Sequence, residues 1–187
     1  MRLFIAIQFD DSILDELTNF QEDLKRQGVT GNYSARENLH ITLAFIGNYP
    51  NPGEVLDVIE QVDFRPIEIT LQGVGSFGNL FWVGLAENKQ LESYVRRLRR
   101  ELASRGIPFD KKRFSPHITL IRKYNYKGGD MIPVSNPPKG RMRATHISLM
   151  KSERGKNGMI YMEIGKNWRR KKKNVRDGGN ADGELRT

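Results

Sequence analysis

Two identical tetrapeptides, His-Ile-Thr-Leu, stand in this chain at residues 40–43 and 117–120, and they contain two of its three histidines. Histidine is the side chain whose ordinary pKa, about 6.5, allows it to give or take a proton near neutral pH. Two histidines in the same local sequence therefore suggest a general acid and a general base. Both would serve one reaction if the fold brings the two segments to a common cleft.

The order of residues within each tetrapeptide separates polar from apolar side chains. On a β-strand, consecutive side chains point to opposite faces. The polar pairs that would share a face are His40 with Thr42 and His117 with Thr119, and the apolar pairs are Ile41 with Leu43 and Ile118 with Leu120. We expect the apolar pairs to anchor each strand in the core and the polar pairs to line a cleft.

Such a cleft suits in-line displacement at phosphorus. A neutral imidazole would remove a proton from an attacking water, and an imidazolium on the opposite side would protonate the departing oxygen. Thr42 and Thr119 could donate hydrogen bonds to the non-bridging oxygens, where negative charge builds up. Arg122, just beyond the second tetrapeptide, is a candidate fixed charge for the same oxygens. The two tetrapeptides are identical, so their sequence does not decide which histidine is the acid.

The spacing of the tetrapeptides extends to the elements around them. His117 follows His40 by 77 residues, and the same offset relates Leu3 to Leu80, Phe4 to Phe81 and Leu14 to Leu91. A fixed offset of this kind indicates an internal repeat. We therefore predict that a strand, an amphipathic helix and a histidine-bearing strand occur twice in the same order.

Hydrophobic periodicity predicts an α+β fold. The predicted helices cover residues 11–27, 51–62 and about 91–102, and the predicted strands cover residues 2–9, 39–46, 67–73, 80–85, 117–123, 141–151 and 159–165. With the internal repeat, these elements predict two similar lobes packed about an approximate two-fold axis, with both tetrapeptides at one cleft. Residues 1–165 would form this domain.

Composition limits the remaining classes. The chain has 187 residues and no cysteine, which excludes disulfides and thiolate metal sites. It has only three histidines, so we do not expect a zinc or di-metal centre. Of the net charge of +9, residues 166–187 carry 8 − 3 = +5, so we interpret them as a basic, disordered tail. The short apolar N-terminal run is neither a signal peptide nor a membrane span. We expect a cytoplasmic monomer without membrane, metal or cofactor.

The segments around both tetrapeptides resemble a known family. Residues 36–47 (RENLHITLAFIG) and 113–122 (RFSPHITLIR) are similar to the two signature segments of the 2H phosphoesterases. More narrowly, they resemble the RNA 2',3'-cyclic phosphodiesterases, also called 2'-5' RNA ligases of the LigT type. Residues 2–7, 73–77 and 149–152, together with Tyr161, are similar too. The likeness extends from Arg2 to about residue 165.

This resemblance implies an α+β fold of two pseudo-symmetric lobes, with antiparallel sheets around a central cleft and helices on the outside. It also implies an activity and a role for each histidine. The expected reaction is hydrolysis of RNA 2',3'-cyclic phosphate ends to 2'-phosphomonoesters, with RNA as the partner and 2'-5' ligation as a secondary reverse reaction. By the resemblance, His40 is the acid that protonates O3' and His117 is the base that activates water. Two alternatives stay open: a phosphodiesterase for small cyclic nucleotides or 2'-5' linkages, and a non-catalytic module that binds RNA ends.

Two further patterns are set aside. Residues 73–78 match GxGxxG, but a strand is predicted after them where a dinucleotide site needs a helix, so we expect the glycines to form a tight turn. His146, in a third similar segment, falls outside the 77-residue register and is interpreted as an ordinary strand histidine.

Phe4, Phe45 and Phe114 are candidates to stack on a terminal base, and core packing is the expected role of at least two of them.

Overall fold

The computed structural model describes residues 1–167, which form three α-helices, nine β-strands and a short 3-10 helix. The helices are α1 (Asp11–Arg26), α2 (Pro52–Gln61) and α3 (Lys89–Ser104). The strands are β1 (Arg2–Gln8), β2 (Thr30–Tyr33), β3 (His40–Asn48), β4 (Ile67–Phe77), β5 (Leu80–Leu85), β6 (His117–Asn125), β7 (Arg141–Ala144), β8 (Ser148–Gly155) and β9 (Gly158–Lys166), with the 3-10 helix at Arg36–Asn38.

The strands form two antiparallel sheets, which agrees with the predicted α+β fold. The first sheet has the order β3-β1-β8-β9, and the second has the order β2-β6-β5-β4-β7. Each sheet therefore takes strands from both halves of the chain, since β8 and β9 join the first and β2 joins the second. Among the described residues, no helix has the length and apolarity that a bilayer crossing needs.

The 77-residue register holds at the level of whole elements. Adding 77 to the bounds of β3 gives 117–125, which are the bounds of β6. The same addition takes β1 to 79–85 and α1 to 88–103, within one residue of β5 and α3. Each histidine strand thus lies beside the strand that opens its own repeat, because β3 pairs with β1 and β6 pairs with β5.

The two long helices begin and end on clear local signals. The Asp10 carboxylate accepts a hydrogen bond from the backbone N–H of Ile13 at 3.0 Å, and the Asn88 side chain accepts one from Leu91 at the same distance. These caps satisfy donors that a helix start leaves unpaired. Gly28 and Gly106 follow the helix ends at φ of +86° and +66°, a conformation that glycine adopts without steric cost.

Each histidine strand has a bulge, and a side chain from a helix of the other repeat donates a hydrogen bond to it. Register shifts leave the carbonyls of Leu43 and Leu120 as acceptors for side chains. The Arg99 guanidinium of α3 donates to the Leu43 oxygen at 3.2 and 3.1 Å, and the Gln21 amide of α1 donates to the Leu120 oxygen at 3.2 Å. Each long helix is therefore hydrogen-bonded, through one side chain, to the histidine strand of the other repeat.

The structure corrects three of the predicted elements. The single strand predicted over residues 141–151 is two strands in different sheets, because the chain crosses between the sheets at residues 145–147. His146 lies in this crossing, so its interpretation as a strand histidine is wrong. The tight turn predicted from the glycines of residues 73–78 is shorter than expected, since β4 continues to Phe77 and the turn falls at Gly78 and Asn79.

Two other segments complete the comparison with prediction. Strand β2 was not predicted, because its polar sequence TGNY lacks the alternating apolar residues of a half-buried strand. Most of the tail predicted from residue 166 lies outside the described residues, which end at Asn167.

Candidate active site

The His40 imidazole is fixed at both nitrogens. Its Nδ1 lies 2.7 Å from the carbonyl oxygen of Asn38, and its Nε2 lies 2.9 Å from the hydroxyl of Thr42. The ring also contacts Phe4 at a centroid distance of 4.9 Å and Tyr161, edge to face, at 5.3 Å. A carbonyl is only an acceptor, so Nδ1 carries a hydrogen and Nε2 is the nitrogen that can exchange a proton.

The His117 imidazole is held in the corresponding way. Its Nδ1 lies 2.8 Å from the carbonyl oxygen of Ser115, and 115 is 38 plus 77. The contact therefore repeats in register, two residues before each histidine. The ring of Phe77 meets His117 edge to face at 5.2 Å. In both repeats the orientation of the ring is set through Nδ1, which assigns proton transfer to Nε2.

The bulges bring a third residue of each strand to the cleft face. Leu43 and Ala44 are both buried, so the alternation of β3 shifts by one and Phe45 returns to the side of His40 and Thr42. Leu120 and Ile121 are likewise both buried in β6, and Arg122 follows them. Since 45 plus 77 is 122, Arg122 occupies the position in its repeat that Phe45 occupies in the other.

The two histidine strands approach each other across the cleft. Cα atoms of β3 and β6 come within 8 Å of one another. Burial is the main cause that lowers the pKa of His40, and the positive charges of Arg122 and His117 lower it further, against the opposing effect of the hydrogen bond to Asn38. The structure therefore brings His40, His117 and Arg122 within electrostatic reach of each other.

A cavity of about 920 Å³ opens on the His40 side of the cleft. Its wall includes the predicted residues His40, Thr42 and Arg122, and three aromatic side chains, Phe4, Phe45 and Tyr161. The buried hydroxyl of Ser152, also in this wall, has no hydrogen-bond partner among the described residues. The size falls within the usual range for ligand pockets, about 300–1,000 Å³.

His117 and Thr119 lie beyond this cavity wall. Both are half-buried, and Thr119 is paired with Trp82 on the neighbouring strand. His40 thus lines the cavity, whereas His117, which is also half-buried, lies outside its wall. Phe114 packs near Arg99 instead of the cavity, so of the three phenylalanines considered for stacking only Phe4 and Phe45 reach it.

Several site features were missed from the sequence. The carbonyls of Asn38 and Ser115 carry no side-chain signal, although their common offset from the histidines could have been noticed. Tyr161 and Ser152, which the family resemblance included without assigning them to the site, come from the β8–β9 hairpin, far along the chain, and Phe77 was assigned to a turn. The described part of the chain has no grouping of three or more His, Cys, Asp or Glu side chains that could hold a metal ion.

Comparison with known proteins identifies the family. The model of the 2'-5' RNA ligase superfamily matches residues 9–156, more than three quarters of the chain. The chain belongs to the 2'-5' RNA ligase superfamily. It is 35% identical to the RNA 2',3'-cyclic phosphodiesterase of Methanocaldococcus jannaschii, over 90% of this chain and 100% of that protein. The namesake from Archaeoglobus fulgidus is 30% identical over 88% of this chain and 98% of its own length.

Solved structures of the superfamily share the fold. LigT of E. coli in its apo form superposes with a TM-score of 0.75 at 24% identity, covering 88% of this chain and 95% of LigT. The complex of LigT with 3'-AMP gives a TM-score of 0.73 at the same identity and coverage. The predicted α+β fold with antiparallel sheets is therefore confirmed.

Proposed function

We propose that this superfamily member hydrolyses the 2',3'-cyclic phosphate at an RNA 3' end to a 2'-phosphomonoester. His40 donates a proton to O3', and His117 accepts a proton from the attacking water. The observation that carries the proposal is the repeated Nδ1 contact, which leaves one proton-transferring Nε2 in each repeat, on strands that meet across a cleft. Relatives of the chain that carry the name RNA 2',3'-cyclic phosphodiesterase support the substrate class.

The proposed step is a single in-line displacement. The water oxygen attacks phosphorus while His117 Nε2 takes a water proton, and the P–O3' bond breaks as His40 Nε2 delivers its proton to O3'. The product keeps the phosphate on O2', and His117 leaves the step protonated while His40 leaves it neutral. Proton exchange with solvent restores both rings, so the step consumes one water and needs no further reactant.

The shape of the cleft supports this assignment of acid and base. In a cyclic phosphate the nucleoside is attached to phosphorus through O3' and O2', so the nucleoside lies on the side of the acid. The cavity lined by His40 offers the aromatic side chains of Phe4, Phe45 and Tyr161 to a base, whereas His117 lies outside its wall, where an attacking water would stand. The leaving oxygen would therefore face His40.

Three further residues would hold the phosphoryl group. The hydroxyls of Thr42 and Thr119 and the guanidinium of Arg122 can donate to the non-bridging oxygens, where the transition state concentrates charge. Their positions on the cleft faces of β3 and β6 support these roles.

The electrostatics of His40 link its protonation to substrate binding. In the free protein, burial and the charges of Arg122 and His117 keep the pKa of His40 below its ordinary value. A bound phosphate anion offsets both positive charges and favours the imidazolium. His40 would thus gain its proton as the substrate binds, and this proton would then be available for O3' as the P–O3' bond breaks.

The test is the product formed from an RNA that ends in a 2',3'-cyclic phosphate, incubated with the protein in EDTA. We expect a 2'-phosphate end and no 3'-phosphate end, distinguished by chromatography against both standards. A 3'-phosphate product would show that O2' is the leaving oxygen and so reverse the assignment. If the protein binds the RNA but leaves its cyclic phosphate intact, the non-catalytic RNA-end module would be favoured instead.

A further inference from the structure

Phe77 is an exposed aromatic side chain beside the proposed base. Of the aromatic residues in positions 1–167, it is the one in the exposed class, with 49% of its surface accessible. It lies at the end of β4, and its ring meets the His117 imidazole edge to face at 5.2 Å. An aromatic ring exposed beside the proposed base is available to stack on a nucleic-acid base.

The position of Phe77 is built from the strand below it. Its ring packs against Trp82 at a centroid distance of 5.3 Å. The indole of Trp82 in turn lies on Gly75, where an added Cβ atom would come within 2.3 Å of the indole carbon Cζ2. Gly75 therefore provides the space in which Trp82 lies against the sheet, and Trp82 supports Phe77 next to His117.

We infer that Phe77 is a stacking platform for a second nucleoside, the one that carries a 5'-hydroxyl. This inference rests on the proposed function, because it uses the position of His117 on the entry side of the phosphorus. An attacking group enters opposite O3', hence at His117 and outside the cavity that His40 lines. A nucleoside whose 5'-hydroxyl replaces water there would place its base near the exposed ring. Bases stack on aromatic side chains with little dependence on their identity.

The corresponding reaction is transfer to the 5'-hydroxyl in place of hydrolysis. The 5'-oxygen attacks phosphorus, His117 takes the hydroxyl proton, the P–O3' bond breaks, and His40 protonates O3'. The product is a 2',5'-diester with a free 3'-hydroxyl, and no energy donor is consumed. In reverse, O3' attacks the diester and His117 protonates the departing 5'-oxygen. Both directions need the second nucleoside, whereas hydrolysis of a cyclic phosphate does not.

The experiment compares two substrates with wild type and Phe77 variants. One substrate is a 2'-5' linked diadenosine monophosphate, and the other is adenosine 2',3'-cyclic monophosphate. We expect Phe77→Ala to lower kcat/KM for the dinucleotide by roughly 10- to 100-fold, the effect of one lost base–aromatic stack, chiefly through KM. Hydrolysis of the cyclic mononucleotide should change by less than about threefold. Phe77→Tyr, which keeps the aromatic face, should retain cleavage of the dinucleotide.

The controls separate the alternatives. Met131→Ala removes another exposed apolar side chain, 84% accessible, and should leave both substrates unaffected. Equal losses on both substrates in Phe77→Ala would assign Phe77 to positioning His117 and overturn the platform. So would unchanged cleavage of the dinucleotide, or a wild type that hydrolyses the cyclic substrate but not the dinucleotide. A wild type that acts on neither substrate and also leaves an RNA 2',3'-cyclic phosphate end unaltered would overturn the proposed function itself.

Discussion

The Nδ1 atom of His40 lies 2.7 Å from the carbonyl oxygen of Asn38, two residues earlier on the chain. The contact recurs between His117 and Ser115 at 2.8 Å. Because a backbone carbonyl cannot donate, each contact fixes the hydrogen on Nδ1 and leaves Nε2 as the nitrogen that can exchange a proton. A local hydrogen bond thus settles which nitrogen of each ring can take part in proton transfer.

The pKa of His40 should rise when a nucleoside 2'-phosphate, the proposed product, is bound. In the free protein burial and two nearby positive charges lower this pKa, and the phosphate anion compensates those charges. Titration of the His40 ring protons by NMR, with and without the 2'-phosphate, measures the change. An unchanged or lowered pKa in the complex would contradict the coupling of protonation to binding.

The same lowered pKa predicts how stability depends on pH. The unfolded chain binds a proton at His40 near pH 6.5, the ordinary value, whereas the folded protein binds it only at lower pH. The free energy of unfolding should therefore fall as the pH drops below about 7 towards the folded pKa. Burial lowers the pKa of His146 too, which adds in the same direction.

Urea unfolding at pH 7 and pH 5 tests this dependence. His40→Gln and His146→Gln should each lose less stability than wild type between the two values. A His40→Gln variant with the full wild-type loss would mean that His40 is not the source.

Arg122 should affect both the phosphate and His40. Arg122→Gln removes a charge-assisted donor, and we expect kcat/KM for a cyclic phosphate end to fall on the order of 10², as for loss of one transition-state donor. It also removes a positive charge that lowers the pKa of His40, so that pKa should rise in the free variant. Arg143→Gln, at an exposed position of β7, is the matched control. A kinetic loss without any change in the pKa of His40 would place Arg122 farther from that ring.

Arg99 should contribute to stability through the bulge of β3. Arg99→Met keeps the length of the side chain but leaves the Leu43 carbonyl without this donor, which should cost about 1–3 kcal/mol of unfolding free energy. Arg96→Met changes an exposed arginine of the same helix and should cost no more than about 0.5 kcal/mol. Equal values for the two variants, measured by urea unfolding, would show that the contact to Leu43 adds nothing.

Local sequence predicted the histidine strands well. The alternation of His-Ile-Thr-Leu predicted which side chains are buried, and the 77-residue offset predicted the matching elements. These features depend on near neighbours along the chain, because side chains alternate between the two faces of a strand. Arg122 was also placed correctly at the cleft, although the bulge that turns it there was not foreseen.

Features set by distant pairing were not predicted. Strand β2 forms because its backbone pairs with β6, almost a hundred residues away, and its own side chains do not indicate a strand. Tyr161 and Ser152 reach the cavity because β8 crosses to lie beside β1. Nothing in the sequence of α3 distinguishes Arg99 from Arg96, and only the bulge in β3 gives Arg99 its carbonyl partner. Such positions depend on contacts that no local pattern records.

The most direct test of the paired imidazoles is single-turnover hydrolysis of an RNA 2',3'-cyclic phosphate end by His40→Ala, His117→Ala and the double variant. Each single variant should lower the rate by roughly 10²–10⁴, the usual contribution of one general acid or base. The double variant should be little slower than the slower single one, since the two groups act in one step. His146→Ala should keep the wild-type rate. Near wild-type turnover by either single variant would contradict the account.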